Sequence, residues 1–337
     1  MSTPTPHDAL VQLVFSRKEN AIGELQAVLS EALSARIDWD SITLENGRFI
    51  DPELADSESD LLFAASIADH EAFVYLLLEH QSSIDQLMPL RMLRYMLRIW
   101  DRWLGDHQSA TRVPVIVPVV LYHGESSTRV WTGPTAMHEL FDLDPGALAP
   151  IRALVPGFKL LIDDLSRRAD AELRARPMPA LGIVALLLLK YARWAKDLLA
   201  KLVSWSGLLR QVLEAPDGFE ALRSLMSYTI LVNEYVTVQD INAVLVPAVG
   251  EQVREVVMTE GERLIAKGRI EGKAEGEAKG KAEGRAHAVL AVLAARGITV
   301  PEAIRSRILS CTDIPTLDAW IARAATASSA TEVVSDA

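Results

Sequence analysis

With 337 residues, half of them hydrophobic, the chain has room for two domains or for one domain with an appendage. Its single cysteine, Cys311, excludes an internal disulfide framework, and a net charge of −11 excludes a generic nucleic-acid coat. The opening MSTPTPHDAL lacks a basic n-region and an apolar h-region, and the longest apolar run, Leu181 to Leu189, is too short for a bilayer. A soluble, cytoplasmic protein without a membrane partner is expected, and any DNA contact must be local and metal-assisted.

In chain order, His7 to Phe15 and Glu19 to Ile37 have the apolar spacing of two amphipathic helices, with Asp8 near the first helix start. A short strand is expected around Ile42-Thr43-Leu44, followed by a turn at Asn46-Gly47. Leu61 to Ile67 and Ala72 to Leu78 then read as two strands of a hairpin. A turn about Asp69-His70 pairs residue i with residue 139 − i, which sets Asp60 opposite Glu79. Like charges directly opposed across two strands are destabilising, so something positive belongs between them. The strand period of two adds Gln81 to the face that carries Glu79. Two carboxylates and an amide at one hairpin end suit a hard divalent cation such as Mg²⁺. The competing reading leaves Asp60 and Glu79 as solvated strand-end charges.

Pro89 suits the first turn of the next helix, which runs through LRMLRYMLRIWDRWLG to Gly105. Arg91, Arg94, Arg98 and Arg102 form one stripe on it, with Leu93, Met96, Leu97 and Trp100 on the other side. Beside a metal site such a stripe is a phosphate track, and otherwise it is a solvated face or a row of arginines paired to the many acids of this domain. Val113 to Tyr122 is a buried strand in which Pro114 and Pro118 favour an edge or a bulge. Pro145 to Val155 reads as a short helix, and Phe158 to Ile162 as a last strand ending at Asp163-Asp164. Together these elements make an α/β core.

Five segments in this order, PHDAL, FIDPELADSESDLLF, VYLLLEHQS, PLRMLRYMLRIW and VPVVLYHGE, resemble the bacterial recombination-promoting nuclease family. That family, also described as putative transposases, belongs to the PD-(D/E)XK nuclease superfamily, and the resemblance covers Pro6 to Asp164. It implies a mixed central sheet flanked by helices and metal-dependent phosphodiester hydrolysis of DNA, linked to recombination or mobile elements. Carried over by motif, Asp60 and Glu79 are the catalytic acids and metal ligands. Gln81 stands where most of the superfamily has lysine. Arg91, Arg94 and Arg98 are the expected DNA contacts, and Asp8 and Tyr95 are candidate supports of the site. The alternative is a non-catalytic DNA-binding or regulatory protein on a decayed nuclease fold, which the missing lysine and the acidic charge favour.

Zinc-protease, paired-cysteine, serine-hydrolase and Walker motifs are absent from the sequence. His7, His80, His123 and His138 read as structural or surface histidines, and His123-Gly124 as turn structure. From Arg167 the pattern turns helical, with candidates at Pro179 to Leu202, Ser206 to Leu213, Gly218 to Val232 and Val238 to Val246. This region reads as a support without chemistry of its own. Gly268, Gly272, Gly276, Gly280 and Gly284 recur every four residues. Each interior glycine costs a helix ~0.8–1.0 kcal/mol against alanine. The segment is therefore a linker or, the favoured reading, a helical arm through which the chain forms a homo-oligomer or meets an adaptor. The expected organisation is a nuclease domain over 1–165, a helical support over 166–260, and a glycine-repeat tail with a disordered end over 261–337.

Overall fold

In a computed structural model the structure describes residues 5–45, 61–68, 70–79, 84–124 and 130–335. The chain divides into two compact units, Met1–Gly261 and Glu262–Ala337.

Helix α1 (Pro6–Phe15) starts in a capping box. Thr5 Oγ1 accepts from the Asp8 amide at 3.3 Å, and Asp8 Oδ2 accepts from the Thr5 amide at 3.0 Å. The single helix expected next is interrupted. Helix α2 (Lys18–Val28) ends where Leu29 turns extended, Ser30 caps a four-residue α3 (Glu31–Ser34), and the chain enters strand β1 (Ile37–Glu45). Strand pairing overrides the helical spacing here, because Ile37 already lies opposite Ile67 of β2 (Leu61–Ile67). An irregularity between Asp38 and Thr43 is bridged by Ser41, whose Oγ accepts from the Ser66 amide at 2.8 Å.

Strands β2 and β3 (His70–Glu79) form the expected hairpin, but Ile67 pairs with His70, so residue i faces 137 − i. The turn falls one residue earlier because Ala68 adopts a left-handed conformation (φ 50°) and donates its amide to Arg36 O at 3.0 Å. Tight hairpin turns need positive φ, and alanine is a poor advertisement for it. The resulting slide of two residues preserves which side chains share a face.

Helix α4 (Met88–Asp106) carries the chain over to β4 (Val115–Tyr122), parallel to β3, and β5 (Leu161–Asp164) adds in parallel beside β4. The sheet order is β1-β2-β3-β4-β5, antiparallel at one side and parallel at the other. Strand β4 is thus interior, contrary to the edge expected from its prolines. Pro118 is tolerated because β5 pairing begins only at Val119, leaving the proline with a partner on the β3 side alone. Pro114 precedes the strand and accepts from Trp100 Nε1 at 2.8 Å.

One sheet face packs on α1, α2 and the helical region, centred on α7 (Ala180–Tyr191), which is buried nearly all round from Leu181 to Lys190. The other face packs on α4 through Met88, Met92, Tyr95, Met96 and Ile99. Between β4 and β5 lie α5 (Pro145–Leu148) and a 3₁₀ turn (Ala149–Leu154). Around α7 stand α6 (Asp170–Arg174), α8 (Leu198–Ser204), α9 (Ser206–Glu214), α10 (Gly218–Val232) and α11 (Val238–Val249). The fold is an α/β one, a mixed five-stranded sheet flanked by helices and followed by an α-helical region. Among the described residues, no helix is long and apolar enough to cross a membrane.

The glycine repeats lie within α12 (Gln252–Ala295), a continuous helix rather than a linker. A β-carbon added at Gly276, Gly280 or Gly284 would meet nothing within 4 Å. In the second unit Val289, Leu293, Ile308, Leu317 and Trp320 bury one another across the end of α12, α13 (Glu302–Ser310) and α14 (Ile314–Ala324). The expected disordered end is corrected: Ser329 caps α15 (Ala330–Val334), and Ala330, Val333 and Val334 are buried in this cluster. Ala330, Val333 and Val334 keep a helical spacing among the serines and alanines of this end.

Candidate active site

Parallel pairing sets Glu79 of β3 beside Tyr122 of β4, and Tyr122 beside Asp164 of β5. The carboxyl ends of three strands therefore finish along one edge of the sheet, the usual location of ligand sites in α/β folds. Glu79 is placed here by its backbone. Asp60 and Gln81, the other two expected members, lie outside the described residues. Among the described residues no group of three or more His, Cys, Asp or Glu side chains could hold a metal ion.

Two buried histidines occupy the same strand ends. His7, from α1, and His123, directly after β4, are 7% and 6% exposed, with ring centroids 4.8 Å apart. Tyr228 of α10 completes the group, its hydroxyl 2.8 Å from His7 Nδ1. Burial raises the Tyr228 pKa far above the ordinary phenol value, so the hydroxyl keeps its proton and donates it. With Nδ1 accepting, the His7 ring hydrogen lies on Nε2. The helical region thus supplies a polar side chain to the strand-end cluster, which helical spacing alone did not reveal. His123 could have been found from its place after a strand in VPVVLYHGE; Tyr228 looks like any core aromatic. Asp8 is buried beside His7 and anchors the start of α1 through Thr5.

The paired aspartates at the end of β5 have structural partners. Asp164 accepts from the Trp131 amide at 2.8 Å and the Ser166 amide at 3.0 Å, and pairs with Arg167 at 3.2 Å. Trp131 in turn stands edge-on to Tyr122, centroids 5.2 Å apart. Asp163 takes Arg176 Nη2 at 2.7 Å and Arg168 Nε at 3.0 Å. The same Arg176 also grips Glu24 of α2, and both carboxylates are fully buried. Burial first, then the nearby Asp163, push the Glu24 carboxyl up to about 8, against the opposing pull of Arg176. This network ties α2 and β5 to the segment that leads into α7. Glu24 and Arg176, 152 residues apart, were not singled out from the sequence.

On α4 the arginines run along the shoulder of the buried face. Arg91 reaches Tyr95 Oη at 3.3 Å and Asp85 at 4.0 Å, and its guanidinium stands 5.8 Å from the Tyr95 ring centroid. Arg94, Arg98 and Arg102 are exposed. The opposite side differs from expectation: Leu97 is 48% exposed, Leu93 and Trp100 are half-buried, and Met96 alone of that set is core. Tyr95, read as a site support, is 6% exposed and belongs to the core of that sheet face.

The family model described as "Putative transposase, YhgA-like" matches residues 5–220. Recombination-promoting nuclease RpnD of Escherichia coli O157:H7 is 30% identical over 131 residues, 39% of this chain and 50% of that protein. The inactive recombination-promoting nuclease-like protein RpnE of Escherichia coli (strain K12) is 32% identical over 162 residues, 48% and 52% of the two chains. Recombination-promoting nuclease RpnA of the same strain is 33% identical over 123 residues, 36% and 41% of the two chains. The chain spans about half the length, or less, of these curated relatives. No solved structure matches it.

Proposed function

The chain belongs to the YhgA-like putative transposase family, and on that premise we propose that it is a cytoplasmic, metal-dependent DNA endonuclease with a PD-(D/E)XK-type core, acting in recombination or on mobile elements. The observation that carries this reading is the position of Glu79 at the carboxyl end of β3, in register with Tyr122 and Asp164 in a mixed sheet. The relatives named as nucleases support it further.

Asp60 and Glu79 offer hard carboxylate oxygens, a donor set that fits Mg²⁺ and does not favour a soft metal. When bound, such an ion polarises a phosphoryl oxygen and lowers the pKa of water. The rest falls to the chain. Gln81, which can be neither cation nor base, orients water or a non-bridging phosphate oxygen through its amide. Arg94 and Arg98, with Arg91 braced by Asp85 and Tyr95, draw the DNA backbone along α4. His7 and His123 present fixed imidazole edges near the same strand ends. The open glycine face of α12 serves as a homo-oligomer contact in this reading.

A second reading, a DNA-binding protein on a decayed nuclease fold, draws on Gln81 in place of lysine and on a relative named as inactive. Purified protein incubated with plasmid DNA, with Mg²⁺ and with EDTA, separates the two. Cutting that requires the metal supports the first reading, and DNA binding without cutting supports the second.

A further inference from the structure

A chain of net charge −11 can meet a polyanion only where positive charge is gathered locally. Beyond the α4 stripe, a cleft of the described surface gathers such charge. About 270 Å³ in volume, it is lined by His138, Arg152 and Lys159 around the Val155-Pro156-Gly157-Phe158 segment. No acidic side chain lines it. Of the acids near in sequence, Glu139 accepts from Thr135 Oγ1 at 3.1 Å, Asp144 caps α5 through the Gly146 and Ala147 amides, Asp163 is held by Arg168 and Arg176, and Asp142 is exposed outside the cleft lining.

The three basic side chains come from three separate pieces of backbone. Lys159 sits in an antiparallel bridge with Ala136, between hydrogen bonds from Leu160 N to Thr135 O (2.7 Å) and from Met137 N to Phe158 O (3.1 Å). His138 directly follows Met137, so the same ladder fixes its backbone. Arg152 projects from the 3₁₀ turn Ala149–Leu154 and brings Nη2 within 3.5 Å of His138 Nδ1. Arginine can only donate, so this approach favours a lone pair on Nδ1 and leaves the His138 hydrogen on Nε2. A guanidinium fork, an ammonium and an imidazole N–H around one small cleft match the oxygens of a phosphate group. Lys159 precedes the end of β5 by five residues, roughly 16 Å of extended chain. The cleft is thus separate from the strand ends that carry Glu79.

We propose that the cleft formed by His138, Arg152 and Lys159 is a phosphate-binding site, which holds a backbone phosphate of DNA away from the candidate active site. The inference rests on the DNA reading above only for the source of the phosphate; the oxyanion chemistry stands without it.

The test uses the full chain in EDTA, so that cleavage plays no part. Duplex DNA affinity is measured against salt for the parent, for Arg152→Ala/Lys159→Ala and for Arg152→Lys. In parallel, inorganic phosphate is titrated against chloride of equal ionic strength while the His138 ring resonances are followed. The double substitution is expected to weaken DNA binding about tenfold and to lower the log–log salt slope by about one unit, since both cations serve one phosphate. Arg152→Lys should retain most of the affinity. Phosphate should shift the His138 resonances in the parent and not in the double variant. A phosphate response with unchanged DNA affinity would keep the oxyanion site and assign it to a free phosphate compound. An unmoved His138, whatever happens to DNA affinity, would overturn the site and leave Arg152 and Lys159 as ordinary surface charges.

Discussion

Tyr228 and His7 stand 221 residues apart in the chain, yet the tyrosine hydroxyl lies 2.8 Å from His7 Nδ1 in a buried setting. The helical region is therefore wired to the first helix and, through the tilted ring contact of His7 with His123, to the end of β4. Replacing Tyr228 by phenylalanine removes the donor and strands the imidazole nitrogen. A buried acceptor left unsatisfied costs ~1–3 kcal/mol. Denaturant unfolding of Tyr228→Phe should show a loss of that size, and a loss below ~0.5 kcal/mol would contradict the hydrogen bond.

The Glu24–Arg176–Asp163 network makes stability depend on pH. Glu24 has a folded pKa of about 8 against an ordinary 4.5, so the folded state holds its proton more tightly than the unfolded state does. That contribution is complete below about pH 4.5 and is lost as pH rises towards 8. Glu24→Gln keeps a neutral group beside Arg176 and removes the titration. Unfolding free energies measured at pH 5 and pH 8 should fall further in the parent than in the variant, by a few kcal/mol at most. An equal fall in both proteins would place the titration elsewhere.

Along α4 the arginines should separate by role. Arg94→Ala should weaken DNA binding and lower the salt slope by about one unit, with stability nearly unchanged. Arg91→Ala should do the same and also lower the melting temperature, because Arg91 contacts Tyr95 and Asp85. Salt-dependent binding and thermal unfolding of the two variants check this. Identical slopes in the parent and in Arg94→Ala would return the stripe to a solvated face.

Open space around Gly276, Gly280 and Gly284 gives the α12 prediction its sign. Leucine at these three positions improves helix propensity by roughly 2–3 kcal/mol in total, so the helix itself should persist. If the glycine face joins copies of the chain, the triple variant should show a smaller mass per particle by light scattering and at least equal helicity by circular dichroism. An unchanged mass would make the face solvent-exposed.

Local periodicity revealed most of what is local. The hairpin strands, α4 with Pro89 in its first turn, and the α10 helix follow from hydrophobic spacing and turn residues. What escaped depended on partners distant in sequence. The hairpin register moved because Ala68 takes a left-handed turn tied to Arg36. The expected long helix broke after Val28 because β1 had a strand to pair with, and Pro118 entered an interior strand because its far neighbour starts one residue later. At the candidate site, Glu79 could be placed at a strand end from alternation and turn signals alone. Tyr228 could not, since a buried tyrosine at helical spacing looks the same whether its hydroxyl meets a backbone carbonyl or a histidine. Glu24 and Arg176 likewise carry no local sign that α2 and the segment leading into α7 will meet over Asp163.

The central claim, that Asp60 and Glu79 hold a divalent ion for DNA cleavage, is tested most directly by cleavage kinetics on one DNA substrate at fixed Mg²⁺. The parent is compared with Asp60→Ala, Glu79→Ala and Gln81→Ala, with folding verified by circular dichroism. The account predicts metal-dependent cutting by the parent and none by the two acid variants. Gln81→Ala should retain activity reduced about 10²-fold, as for loss of one polar stabiliser. Full activity in a folded Asp60→Ala or Glu79→Ala protein would contradict the account.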